Sequence, residues 1–132
     1  MQRYDCLEKL KKVLKNLEVE RGDMLYIASD ATLLLAEARK YYDVKTAQER
    51  EAFLHALVNV LQEAVGAAGT LLFPVFTWAF CRGEPFDVRV TKGEVGALNN
   101  WVMAHRKEFR RTQNPMYSFM VWGGEAENLL TL

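Results

Sequence analysis

Cysteine is scarce in this chain: Cys6 and Cys81 are the only two among 132 residues. Two cysteines build neither a disulfide scaffold nor a zinc site, and a reduced, cytoplasmic setting is the simplest reading. Net charge is absent too, since 17 basic residues balance 17 acidic ones. That removes any global drive toward nucleic acid or an anionic membrane. No apolar run is long enough to span a bilayer, and the N-terminal stretch MQRYDCLEKLKK is charged, with no signal-peptide core. His55 and His105 have no metal-ligand partner at useful spacing, so no metal is expected. There is no internal repeat, low-complexity tract or linker. Half of the residues are hydrophobic and 26% are charged, which describes one globular domain.

The most informative stretch is Gly69-Thr-Leu-Leu-Phe-Pro-Val-Phe-Thr-Trp78. Its near-continuous apolar run suits a strand covered on both faces. Pro74 cannot donate to a ladder, so regular pairing should end or bulge there. Thr77 and Trp78 then lie past the carboxyl end of the strand, where open α/β sheets place their ligand crevices.

Around it the patterning alternates. Leu7, Leu10, Leu14 and Leu17 predict an amphipathic helix over 5–17. Met24–Ala28 reads as a short strand, and Ser29-Asp30 at its end precede a helix over 31–40. Thr46 and Glu49 form a capping box. The helix after it should bury Phe53, Leu54, Leu57, Val58, Leu61 and Val65 and stop at Gly66. A helix over 96–106 with Leu98, Trp101 and Val102 inward, a strand over 117–122 and a last helix from Glu125 complete the pattern. This predicts an α/β fold, a three-layer α/β/α arrangement with a mixed sheet flanked by helices. The chain stops inside the last helix, so it is expected to be an incomplete part of a larger single domain.

Three constellations can carry chemistry. The loop Thr91-Lys-Gly-Glu-Val-Gly96 leads into a helix N-terminus, which either cradles an anion or is an ordinary turn. Arg106, Lys107, Arg110 and Arg111 are either a phosphate-binding cluster or, for the first two, a solvated helix end. Asn114-Pro-Met-Tyr-Ser118 places polar side chains at a strand entrance, and Asn114 before proline is also a plain turn initiator. His55 shares a helical face with Asn59 and Gln62, opposite the apolar stripe, and is expected to be solvent-exposed. No G-x-S-x-G elbow is present.

The order GTLLFPVFTW, TKGEVGAL, RRTQNPMYSF and VWGGEAENLL resembles the amino-terminal half of the aminoglycoside 3-N-acetyltransferase family, over about residues 20–132. The resemblance implies acetyl-CoA as cosubstrate and a small-molecule amine of an aminoglycoside or amino sugar as acceptor. It implies a donor-binding role for Ser29, Thr77, Thr91, Gly96, Ala97, Leu98, Arg111, Thr112 and Ser118. Thr77 and Ser118 are candidate catalytic hydroxyls, and Asp30, Asn114 and Tyr117 candidate acceptor contacts. Many members carry His-Ser-Ser after the first strand and His-Pro-x-His-Ser later; this chain has Ala28-Ser29-Asp30 and Asn114-Pro115-Met116-Tyr117-Ser118. Members are about twice this length, which implies that the general base lies beyond residue 132 and that a carboxy-terminal half, or a homo-oligomer, completes the site. The alternative is a catalytically degenerate CoA-binding or regulatory module of the same fold.

Overall fold

The computed structural model describes residues 5–132. The first four residues of the charged N-terminal stretch lie outside them. The order of elements is α1 (Asp5–Asn16), β1 (Met24–Tyr26), α2 (Ala31–Tyr41), α3 (Ala47–Val65), β2 (Thr70–Pro74), a 3-10 turn at Phe80–Arg82, α4 (Ala97–His105), β3 (Arg110–Arg111), β4 (Phe119–Gly123) and α5 (Ala126–Leu130).

The sheet is mixed, in the order β1-β2-β4-β3. β1 runs parallel to β2, while β4 runs antiparallel to both β2 and β3. β2 is buried along its whole length, as its unbroken apolar run requires. Leu71, Phe73 and Val75 point into the core with Phe53, Leu57, Val58 and Val65 of α3 and Leu98 and Val102 of α4. The opposite face carries Thr70 and Leu72 of β2 and Val121 of β4. There Thr70 Oγ1 accepts from Glu125 N at 3.0 Å, and Arg110 pairs with Glu127, which ties α5 to that side. Helices therefore flank both faces, the second with α5 alone among the described residues.

α3 begins on the expected capping box, with Thr46 Oγ1 and Glu49 Oε1 each accepting from the other's backbone N–H at 3.1 Å. Gly66 ends it with a positive φ of 68°, which favours glycine. β2 ends at Pro74, yet Val75 N still donates to Ser118 O at 2.9 Å and Thr77 N to Met116 O at 3.0 Å. Pairing loosens at the proline and continues past it.

Several expectations need correction. Leu17 lies just past α1 and is 70% exposed, so the buried stripe of that helix ends at Leu14. β1 stops at Tyr26 instead of Ala28, and β4 starts at Phe119 because 115–117 form a bend. The short strand β3 was not expected; two charged residues carry no apolar alternation to announce it.

Candidate functional site

The carboxyl end of β2 is where the sequence-predicted groups meet. Thr77 is buried there, and its hydroxyl donates to Glu94 Oε2 at 2.8 Å while accepting from Ala79 N at 3.1 Å. Glu94 also takes the Trp78 N–H at 2.6 Å and pairs with Arg82 at 3.3 Å. Trp78 N–H first, then the Thr77 hydroxyl and Arg82, hold the Glu94 carboxyl below the usual carboxylate range.

The loop before α4 is pinned against this strand end. A Cβ on Gly93 would lie 2.7 Å from Val75 Cα, so only glycine permits the approach. Glu94 N donates to Phe76 O at 2.6 Å. Asn100 completes the loop with a reciprocal pair, its amide oxygen accepting from Gly93 N and its amide nitrogen donating to Gly93 O, each at 2.8 Å. Asn99 Nδ2 donates to Pro74 O at 2.6 Å and Val95 O at 2.9 Å, leaving its Oδ1 buried without a partner. Gly96 has φ 105°, a left-handed value that favours glycine, and opens α4 with no side-chain cap. A Cβ there would lie 3.7 Å from Ser29 O, so the Ser29 backbone adjoins the helix start.

Arg111 and Ser118 occupy the inner side of the same strand end. Arg111 Nε donates to Ser118 Oγ at 2.9 Å, and Ser118 Oγ donates to Val75 O at 3.3 Å. The guanidinium also donates to Val75 O, Val88 O and Thr91 O, and its carbon sits 4.9 Å from the Phe86 ring centre. Burial pushes the Arg111 pKa down. Each nitrogen of this fork donates to the chain itself. Thr77, the Gly96 bend and Arg111 thus converge, but as a packed knot: in this arrangement the Thr77 and Ser118 hydroxyls are both committed to the protein.

The other candidates divide between supports and exposed groups. Thr91 Oγ1 accepts from Asp87 N and Thr112 Oγ1 from Phe119 N, each at 2.9 Å, so both close turns. Asp30 caps α2 through Leu33 N at 3.1 Å. Asn114 Oδ1 accepts from Met116 N and Tyr117 N, the plain turn its sequence also allowed. Ser29, Ala97 and Tyr117 are exposed, and Tyr117 packs edge-on to Phe76 with ring centres 5.3 Å apart. Ser29 and Leu98 line the rim of an apolar groove of about 340 Å³ under α1, floored by Phe53, Leu57 and Leu61.

The basic run does not form a phosphate cluster. Arg106 is only 8% exposed, correcting the solvated helix end. It donates to His55 O, Asn59 Oδ1, Gln62 Oε1 and Glu108, stapling α3 to the end of α4. His55 is accordingly half-buried, against Arg106 and edge-on to Trp101 at 4.7 Å. The expectation of an exposed His55 fails because the polar face of α3 is covered by a buried arginine. Arg110 turns to the opposite sheet face and Lys107 is exposed. Among the described residues no group of three or more His, Cys, Asp or Glu side chains is arranged to hold a metal ion, and no helix is long and apolar enough to cross a membrane.

Glu94, Asn99 and Asn100 were missed by sequence reasoning. The one available signal was three polar residues bracketing a glycine at a helix start, where side chains commonly serve the backbone.

The profile of the aminoglycoside 3-N-acetyltransferase family matches residues 41–131, a span that includes β2, α4 and the Arg111–Ser118 segment. The chain belongs to the aminoglycoside 3-N-acetyltransferase family. Solved structures agree on the fold. The YokD protein from Bacillus subtilis superposes with a TM-score of 0.66 at 17% identity, over 94% of this chain and 52% of that one. The acetyltransferase AAC(3)-IVa does so with 0.64 at 24% identity, over 95% and 43%. AAC-VIa, solved with sisomicin bound, gives 0.64 at 23% identity, over 94% and 48%. The chain therefore spans about half the length of these structures. No curated protein sequence matches the chain.

Proposed function

We propose that the protein transfers an acetyl group from acetyl-CoA to an amine of an aminoglycoside or amino sugar, and that this chain supplies mainly the donor-binding half of a larger domain. The family match over residues 41–131 carries this reading. The amine nitrogen attacks the thioester carbonyl, the C–N bond forms, the C–S bond breaks, and the thiol leaves with a proton. The amine must be neutral to attack, so a general base is required. Among the described residues neither histidine suits that role. His55 is half-buried under Arg106. His105 ends α4, roughly 12 Å along the helix axis from the Gly96 end. On this reading the base comes from sequence outside this chain or from a second copy of it.

On this reading Ser29, Gly96, Ala97 and Leu98 hold the donor at the open start of α4, where N–H groups and the helix dipole favour an anion. Thr77 supplies a hydroxyl for the developing oxyanion. Arg111, Thr112, Ser118 and Thr91 fix the loops that shape the cleft. Asp30, Asn114 and Tyr117, exposed on neighbouring loops, meet the acceptor. Reliance on acetyl-CoA places the reaction in the cytoplasm.

The commitment of Thr77, Ser118 and Arg111 to internal hydrogen bonds favours a second reading, a CoA-binding module without turnover. Two measurements separate these. Coenzyme A should raise the unfolding midpoint by mass-action linkage on either reading. Thiol release from acetyl-CoA with a panel of aminoglycosides and amino sugars, assayed with the sequence that supplies the base present, should occur only on the first. Absence of any thermal shift at millimolar coenzyme A would count against both.

A further inference from the structure

Three donors of different kinds converge on the Glu94 carboxylate. Trp78 gives a main-chain N–H at 2.6 Å, Thr77 a hydroxyl at 2.8 Å, and Arg82 a guanidinium at 3.3 and 3.4 Å. Together they make a cradle for an oxyanion. The chain fills that cradle with its own carboxylate. This distinguishes it from the neighbouring Arg111 knot, whose donors end on the buried Ser118 hydroxyl and on main-chain carbonyls, with no carboxylate among them. Glu94 and Arg82 are on the surface, with side chains 37% and 50% exposed. Glu94 can leave by rotating its own side chain, without opening the core. Phe80 and Gly83, which bracket the Arg82 turn, line an open depression beside it with Glu84, Pro85, Phe86, Gln113 and Pro115. Arg82 also pairs with Glu84 at 3.3 Å, so its guanidinium stays partnered when Glu94 swings away.

We propose that Glu94 is the built-in occupant of an oxyanion-binding site, and that a phosphate- or carboxylate-bearing ligand binds there by displacing it. The inference rests on the donor-binding reading in one respect: the Thr77 hydroxyl reaches a ligand only after Glu94 leaves. A carboxylate ligand replaces Glu94 charge for charge, whereas a phosphate brings extra negative charge toward Arg82. The cost is competition with a tethered carboxylate, which lowers apparent affinity by the fraction of molecules in which the cradle is open. Removing the Glu94 charge should therefore tighten binding.

The test is calorimetric titration of the wild-type chain, Glu94→Gln and Glu94→Ala with inorganic pyrophosphate, acetate and coenzyme A. Glu94→Gln keeps an acceptor for Trp78 N–H and Thr77, which preserves the loop tie. Pyrophosphate or acetate should bind the variants at least tenfold more tightly than wild type, and which of the two responds identifies phosphate or carboxylate. Adding Arg82→Ala should abolish the gain. Unchanged or weaker binding of both small anions to folded Glu94→Gln overturns the proposal. Should the variants not fold, the backbone amide resonance of Trp78 in labelled wild-type protein decides. Movement on pyrophosphate or acetate addition supports displacement, and no movement with either overturns it. Tightened pyrophosphate binding without any coenzyme A binding would keep this site and remove the donor-binding reading. Coenzyme A binding equally well to wild type and Glu94→Gln, with both small anions also unaffected, would do the reverse.

Discussion

Arg111 Nε donates to the Ser118 hydroxyl at 2.9 Å, joining β3 to the residue that leads into β4, and both side chains are buried. The same guanidinium holds the carbonyls of Val75, Val88 and Thr91. One side chain thus binds β2, the long connection and the loop before α4 into a single body. A planar fork with fixed donor directions can do this; an ammonium on a flexible stem cannot.

Arg111→Lys is expected to keep the charge and lose most of these bonds, leaving buried carbonyls unpaired. The cost should be about 3 kcal/mol, by analogy with breaking buried charged networks. Thermal or urea unfolding checks it. Amide exchange at 88–91 should also quicken, and a loss below about 1 kcal/mol would contradict the tie described here.

Gly93→Ala tests the close approach of the α4 loop to β2. Its Cβ would sit 2.7 Å from Val75 Cα, backbone against side chain, so the loop has to shift. A loss of about 2 kcal/mol is expected. The change should also disturb the Glu94–Thr77 tie, visible as a shifted Trp78 amide resonance.

Acid should loosen the staple between α3 and α4. Hydrogen bonds from Arg106 hold Glu108 down from its ordinary 4.5 to about 2. A lowered folded-state pKa means that the stabilisation is full above about pH 5. It fades as pH falls through the interval between 4.5 and 2. Glu108→Gln should flatten that limb of the unfolding-midpoint profile. Because Glu108 is partly exposed, the effect at pH 7 should be at most about 1 kcal/mol. An unchanged acid limb in the variant would remove Glu108 from the account.

Thr46→Ala removes half of the capping box that starts α3. A loss of about 1 kcal/mol is expected. For a chain of 132 residues that lowers the midpoint by roughly 4 °C. A chemical denaturation curve with unchanged slope would confirm that only stability moved.

The sequence by itself determined the α/β alternation, the capping box at Thr46, the stop at Gly66 and the buried stripe of α3. These follow from hydrophobic period and backbone chemistry, which act over a few residues and are written locally. It also carried the family, because the ordered motifs around Thr77, Gly96 and Arg111 lie within the span the family profile matches. Only the tertiary structure decided where the charges went. Arg106 and Arg110 are four residues apart, yet one is buried on α3 and the other meets Glu127 across the opposite face of the sheet. Glu94 reads as an ordinary loop carboxylate until the fold brings Thr77 and Trp78 to it from a strand end seventeen and sixteen residues away. A polar side chain takes whatever partner the assembled backbone presents, and no local periodicity records that choice.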